Sequence, residues 1–279
     1  MKELFDTSSE GCATLITKKY STSFSIAVKL LAPSVRQAIY NIYGFVRVAD
    51  EIVDSFHDFE QKVLLDRFED EYAFALKHGI SSNPIINAFE RTKSQYNIDD
   101  ELVQAFLNSM RADLTKQNYA SQEEVDAYIY GSADVVGLMC LKVFVNGDQS
   151  EFDRLKDPAM KLGTAFQKVN FLRDFKHDFD QLKRSYFPNV DSNSLSTEQK
   201  DFIVREISQD FYDAYQGIKQ LPKEAKFGVY VAYKYYMQLL KKVDRASAAD
   251  LQEKRIRVSN WTKTYLLLNC YMRFKTNIF

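Results

Sequence analysis

Cysteine is scarce in this chain of 279 residues: Cys12, Cys140 and Cys270 are all there is. An odd number at unrelated spacings argues against a disulfide framework or a cysteine zinc site, and it fits a reducing compartment. Histidine is equally sparse, with only His57, His78 and His177. Three cannot converge on a metal pair, so the His57-Asp58 and His177-Asp178 pairs do not make a histidine-rich phosphohydrolase site. Net charge is nearly absent, at −1, which gives no hint of a nucleic-acid partner. No uninterrupted apolar run approaches the roughly 20 residues of a transmembrane span. The opening MKELFDTSSE lacks the apolar core of a secretion signal, and no carboxy-terminal membrane anchor is expected after Phe279. These absences lead to the expectation of a cytoplasmic protein with no transmembrane segment.

Strand-like alternation, internal repeats and low-complexity linkers are missing too, and the five prolines fall near expected helix starts or in loops. What remains is ordinary for a globular chain, 46% hydrophobic and 27% charged, but rich in Phe (21) and Tyr (17). The expectation is a single all-α domain over residues 1–279 with an aromatic interior. Helix starts are expected at the Thr7/Glu10 and Ser121/Glu124 capping boxes, at Asp58 with Gln61, at Pro84, at Asp99 or Asp100, at Asp157-Pro158, near Thr197 and after Pro222. Gly79 would close one of them. Gly131 and Gly137 each cost a helix about 1 kcal/mol, so they mark a bend or a close approach.

The stretch Ile39–Phe56 organises the rest. Ile39, Ile42, Tyr43, Val46, Ala49, Ile52 and Val53 recur at helical steps. On the same helix Tyr43, Arg47, Asp50 and Asp54 step four, three and four, which stacks them on one face beside the apolar one. Between Gly163 and Asp178 the device repeats: Gln167, Asn170, Asp174 and Asp178 step three, four and four, with Arg173 beside the first aspartate. A lone D-x-x-x-D is usually a solvated ion-pair ladder. Two such helices with inward-facing carboxylates point instead to a helical bundle around a central cavity holding divalent metal, because buried charges need partners.

Carboxylates do not bind diphosphate directly, since both are anions. Interposed Mg²⁺ or Mn²⁺ reverses that logic, with hard oxygen ligands holding the ion and phosphate oxygens completing its shell. Metals and arginines then stabilise the charge that develops as diphosphate leaves carbon, while aromatic faces attract a hydrocarbon cation. Ionisation of a prenyl diphosphate uses both halves.

Several ordered blocks resemble the head-to-head prenyl synthases, the family of squalene, dehydrosqualene and phytoene synthases. The likeness runs from about Tyr20 to Lys263. Ser21–Phe24 resembles the family's serine segment, Tyr43–Asp54 its first aspartate motif, Met110–Leu114 a GM-x-x-DL segment and Tyr128–Met139 its YCY-x-VAGTVG block. Gln167–Asp178 and Arg184–Pro188 resemble the second aspartate motif and the R-x-Y-x-P after it. The resemblance implies an isoprenoid synthase fold, with metal held by Asp50, Asp54, Asn170, Asp174 and Asp178. Arg47 and Ser21 would meet diphosphate, with Gln167 and Arg173 in the second polar stripe. Phe24, Tyr43, Tyr128 and Tyr186 would line the cavity, and one or more of Arg255, Arg257 and Lys263 would close over phosphate. Glu51, Ser132, Asp134, Val135 and Lys176-His177 depart from the family pattern, and one residue is added before Arg184. The blocks look nearest to those of bacterial phytoene synthases. They imply Mg²⁺-dependent condensation of two geranylgeranyl diphosphates to phytoene through a cyclopropyl diphosphate, with peripheral membrane contact for product release as an option. The alternatives are coupling of fifteen-carbon substrates to squalene or dehydrosqualene, and a non-catalytic assembly protein of the same fold.

Overall fold

Pro33 supplies a preset φ to the first turn of the helix on which the others pack. That helix, α3 (Pro33–Ser55), buries Ile39, Ile42, Phe45, Ala49, Ile52 and Val53. The computed structural model describes residues 1–116, 118–180, 186, 195–253 and 255–276, with the side chains of 176–180, 252, 253 and 260 outside that description. Among the described residues there are thirteen α-helices, one π-helical turn and no β-strand.

Around α3 lie α1 (Lys2–Tyr20), α4 (Gln61–His78), α5 (Pro84–Gln95), α6 (Asp100–Asp113) and α8 (Val135–Phe144). Phe45 is wholly buried at their centre. Its ring stacks on Phe89 at 4.0 Å and meets Phe68 at 5.0 Å and Tyr72 at 5.4 Å. Burying one such ring is worth about 2–3 kcal/mol, so this cluster fixes how α3 sits. The short α2 (Thr22–Lys29) and α7 (Gln122–Ile129) flank this half.

A second core joins α9 (Gln149–Asp180), α10 (Thr197–Ile218) and α11 (Lys223–Arg245) through Val169, Leu172, Ile207, Phe211, Leu239 and Val243. The short α12 (Ala248–Glu253) rests on α9, and α13 (Asn260–Lys275) rests on α11.

Several expected helix starts move. Thr7 is interior to α1, where its hydroxyl donates to the Glu3 carbonyl at 2.8 Å. Asp58 caps nothing at the start of α4; Gln61 instead donates to the carbonyls of Ile52 and Val53. Gly79 does close α4, with φ of 68°. The largest change is at Pro158, which lies inside α9 rather than opening it. The helix starts at Gln149, where Asp148 Oδ1 accepts from the Ser150 and Glu151 amides at 2.9 and 3.1 Å. An interior proline costs about 3 kcal/mol. The upstream turns bury Phe152 and Leu155, each worth about 2–3 kcal/mol, which outweighs that cost.

The run from Gln122 to Phe144 is long and apolar enough on average to cross a membrane, yet more than half of its most apolar window is buried inside the bundle. It is not one continuous α-helix. A π-helical turn, Tyr130–Asp134, separates α7 from α8, and Gly131 lies in it. A Cβ there would sit 2.8 Å from the Ala105 carbonyl oxygen and closer still to Ser109 Oγ. The glycine therefore permits the close approach of α6.

Candidate active site

The stripe read from the spacing forms on α3. The Arg47 guanidinium pairs with Asp50 through one nitrogen and with Glu51 through another, and it lies over the Tyr20 ring at 4.6 Å. Its Nε is buried and has no hydrogen-bond partner among the described residues. The Asp50 carboxyl is pushed up to about 7, chiefly by burial and then by Asp54, with Asp113 and Glu51 adding repulsion and Arg47 opposing it. Asp54 is half-buried one turn on.

Asp113 belongs to the MRADL segment but not to the residues expected in the site. It is buried near the end of α6, and its carboxylate accepts from the Tyr128 hydroxyl at 3.0 Å. A buried carboxylate aimed at an acidic stripe carries no sequence period, so only the motif around it could have marked it.

Ser21 separates α1 from α2 and caps α2, accepting from the Phe24 amide at 3.2 Å. Its side chain also lies near the Tyr43 phenol, where it partly offsets the upward shift that burial gives that group. Phe24 stacks on Tyr43 at 4.6 Å. Three expected residues thus form one contact group beside Arg47.

On α9, Arg173 grips the adjacent Asp174 with two nitrogens, Nε at 2.9 Å from Oδ1 and Nη2 against Oδ2. A second arginine reaches the same carboxylate: Arg255 Nε lies 2.6 Å from Asp174 Oδ1. Of the three basic residues expected to close over phosphate, Arg255 is thus paired with an aspartate of the second motif. Arg257 is exposed and its carbonyl accepts from Lys242, while Lys263 lies over the Tyr235 ring at 5.4 Å. Gln167 is half-buried on the same helix. The Asp178 side chain, and Arg184 and Pro188 of the following motif, lie outside the described residues.

Tyr236 of α11 joins the two stripes, and nothing in the sequence marks it. Its hydroxyl donates to Asn170 Oδ1 at 3.4 Å, and its ring stacks on Phe166 at 3.9 Å. It also lies close enough to Tyr43 to add a little to the upward shift that burial gives the Tyr43 phenol. One tyrosine among several in KYYMQ gives no local signal; only the packing of α11 against α9 and α3 singles it out.

Tyr128 and Tyr186 belong to an aromatic stack. Phe171 and Tyr186 lie 4.0 Å apart and 6° from parallel, and Tyr128 faces Tyr186 at 5.4 Å. Asp134, one of the departures from the family pattern, is buried in the π-helical turn. It accepts from Thr164 Oγ1 at 3.0 and 3.1 Å, and burial pushes its carboxyl up to about 7.

Among the described residues no three acidic, histidine or cysteine side chains form a ready-made metal cluster. The donor chemistry nonetheless suits a hard divalent cation. Asp50, Asp54 and Asp113 offer carboxylate oxygens, and repulsion from the other two adds to burial in raising Asp50; a cation relieves such repulsion. Phosphate oxygens and water would have to complete its shell.

A profile of the squalene/phytoene synthase family matches residues 17–262. The chain is 26% identical over 290 residues to the chloroplastic phytoene synthase 1 of Solanum lycopersicum, covering 98% of this chain and 69% of that protein. It is 27% identical over 278 residues to the phytoene synthase of Arthrospira platensis, covering 90% and 89%. A solved dehydrosqualene synthase, at 20% identity, superposes with a TM-score of 0.84 over 97% of this chain and 98% of its own. The superposition establishes the helical isoprenoid synthase fold.

Proposed function

The chain belongs to the squalene/phytoene synthase family, whose members are prenyltransferases, and from its site we propose that it condenses two geranylgeranyl diphosphates head to head to phytoene. The observation that carries the chemistry is the pair of acidic stripes on α3 and α9, joined through Tyr236 and each countered by arginine. The twenty-carbon choice rests on the names of the phytoene synthases resembled at 26–27% identity.

Asp50, Asp54 and Asp113 on one side, and Asp174 with Asn170 on the other, would hold Mg²⁺ or Mn²⁺. The same is proposed for Asp178. Bound there, the cation supplies Lewis-acid neutralisation of the leaving diphosphate. The protein's own groups do the rest. Arg47 brings a buried N–H with no protein acceptor among the described residues, suited to a phosphate oxygen. Tyr43, stacked on Phe24 with Ser21 beside its phenol, presents an aromatic face to the allylic cation. The Tyr128–Phe171–Tyr186 stack excludes water, which would otherwise quench that cation. Tyr236 fixes the side-chain orientation of Asn170. Arg173 and Arg255 provide positive charge at Asp174, and either can turn to phosphate once a cation takes over the carboxylate.

The experiment is a competition. With Mg²⁺ and equal farnesyl and geranylgeranyl diphosphates, and without a nicotinamide cofactor, a forty-carbon hydrocarbon should dominate. A thirty-carbon product would overturn the chain length and spare the coupling. Neither product, from a protein that binds diphosphate, would favour the non-catalytic reading.

A further inference from the structure

The outer face of α13 is apolar and uncovered among the described residues. Trp261, Tyr265, Leu268 and Met272 recur at steps of four, three and four, so they share one face. They are 87%, 67%, 61% and 62% exposed. Packing uses the other side of the helix, where Cys270 is buried and Phe274 meets Phe227 of α11 at 4.9 Å. Beside the stripe, a cleft of about 210 Å³ between α11 and α13 is lined by Lys234, Lys241 and Arg273, with Tyr265 and Asn269. No carboxylate lines it. The Lys234 ammonium is held below its usual range by burial and by the charges of Arg273 and Lys241. The sequence repeats that polarity: residues 254–279 contain six of the 37 basic residues and none of the 38 acidic ones.

This charge decides the occupant. A second copy meeting the stripe in a two-fold contact would set each cationic cleft near its twin, and like charges would oppose the contact. An anionic bilayer suits both halves of the surface. Trp and Tyr settle at headgroup level, an amphipathic helix buries its apolar face at the acyl boundary, and cations meet lipid phosphate. We propose that α13 docks this protein on an anionic lipid surface, with the Trp261–Met272 stripe entering the headgroup boundary and the Lys234/Lys241/Arg273 cleft receiving lipid phosphate. The docking is independent of which prenyl chain is coupled.

Trp261 is the single tryptophan of the chain, so its fluorescence reports on this face alone. The full chain would be titrated with phosphatidylcholine vesicles, with and without about one-third phosphatidylglycerol, and then floated on a density gradient. Expected are a blue shift and flotation with the anionic vesicles, weakening as salt screens the attraction. The double variant Leu268→Ser/Met272→Ser should bind at least tenfold more weakly while turning over dispersed substrate normally. Each cation near the surface contributes about fivefold, so Lys241→Glu/Arg273→Glu should cost at least an order of magnitude on anionic vesicles only. Absence of flotation, or equal partition into neutral and anionic vesicles, overturns the proposal. So does a concentration-dependent dimer by light scattering that the Leu268→Ser/Met272→Ser change abolishes, because the stripe would then belong to a second copy. Loss of coupling activity with intact vesicle binding would count against the proposed reaction alone.

Discussion

Replacing Asp50 by asparagine separates a metal-holding carboxylate from a structural ion pair. The Asp50 carboxyl moves from 3.8 to about 7 in the folded protein, which at about 1.36 kcal/mol per unit is roughly 4 kcal/mol. Its side chain keeps 31% of its surface exposed, and screening by water reduces that to about 2 kcal/mol. The sign follows from proton binding. The folded state holds this proton more tightly than the unfolded chain, so stability falls as pH rises from about 4 to about 7 and stays reduced above. The neutral amide of Asp50→Asn avoids that loss. Against this gain stands the lost ion pair with Arg47, about 0.5–1 kcal/mol at such exposure, and Arg47 retains Glu51. At pH 8 the metal-free variant should therefore be about 1 kcal/mol more stable than the parent, or about 2–4 °C higher in Tm. At pH 5 the advantage should vanish or reverse. Turnover should drop by about 10² or more, as when a preorganised charge-stabilising group is removed. Thermal melts at both pH values, with and without Mg²⁺ and a diphosphate analogue, run beside turnover assays, decide the matter. A variant that is less stable at pH 8 and fully active would refute the reasoning and return Asp50 to a structural role.

Three more outcomes are expected. Tyr236→Phe keeps the stack on Phe166 but loses the hydroxyl on Asn170, so Tm should change little while kcat/KM falls about tenfold, the loss of one hydrogen bond of about 1.4 kcal/mol; unchanged kinetics would remove Tyr236 from the site. Gly131→Ala forces a methyl against the Ala105 carbonyl and should cost about 1–3 kcal/mol in denaturant melts, whereas a neutral result would show that the π-helical turn can shift. Asp134 is 5% exposed with its carboxyl raised to about 7, so its share of stability is likewise lost as pH rises from about 4 to about 7. Asp134→Asn should flatten the stability–pH curve there, and an unaltered curve would mean that this carboxyl does not titrate in that range.

The α3 and α9 stripes were legible because helical spacing turns four polar residues into a face, and charged groups beside an apolar stripe need a partner. Arg47, Asp50 and Asp54 accordingly sit together, as do Ser21, Phe24 and Tyr43. Asp113 and Tyr236 were not legible as site members. Each comes from a helix other than the two that carry the aspartate stripes and reaches the site only through tertiary packing. Pro158 misled for a related reason. Proline marks a first turn by local preference, but the burial of Phe152 and Leu155 carries the helix back to Gln149. The failed caps at Thr7 and Asp58 show the same thing: a hydroxyl or carboxylate at the right spacing offers a cap, and packing decides whether the helix starts there.

The central claim is that two prenyl diphosphates are joined at one site by Mg²⁺-dependent loss of diphosphate. Its most direct test is the ratio of diphosphate released to hydrocarbon formed from geranylgeranyl diphosphate, measured with Mg²⁺ and again after chelation. Two diphosphates per coupled hydrocarbon with Mg²⁺, and neither product after chelation, is the predicted result. One diphosphate per molecule of prenyl alcohol, with no coupled hydrocarbon, would contradict it.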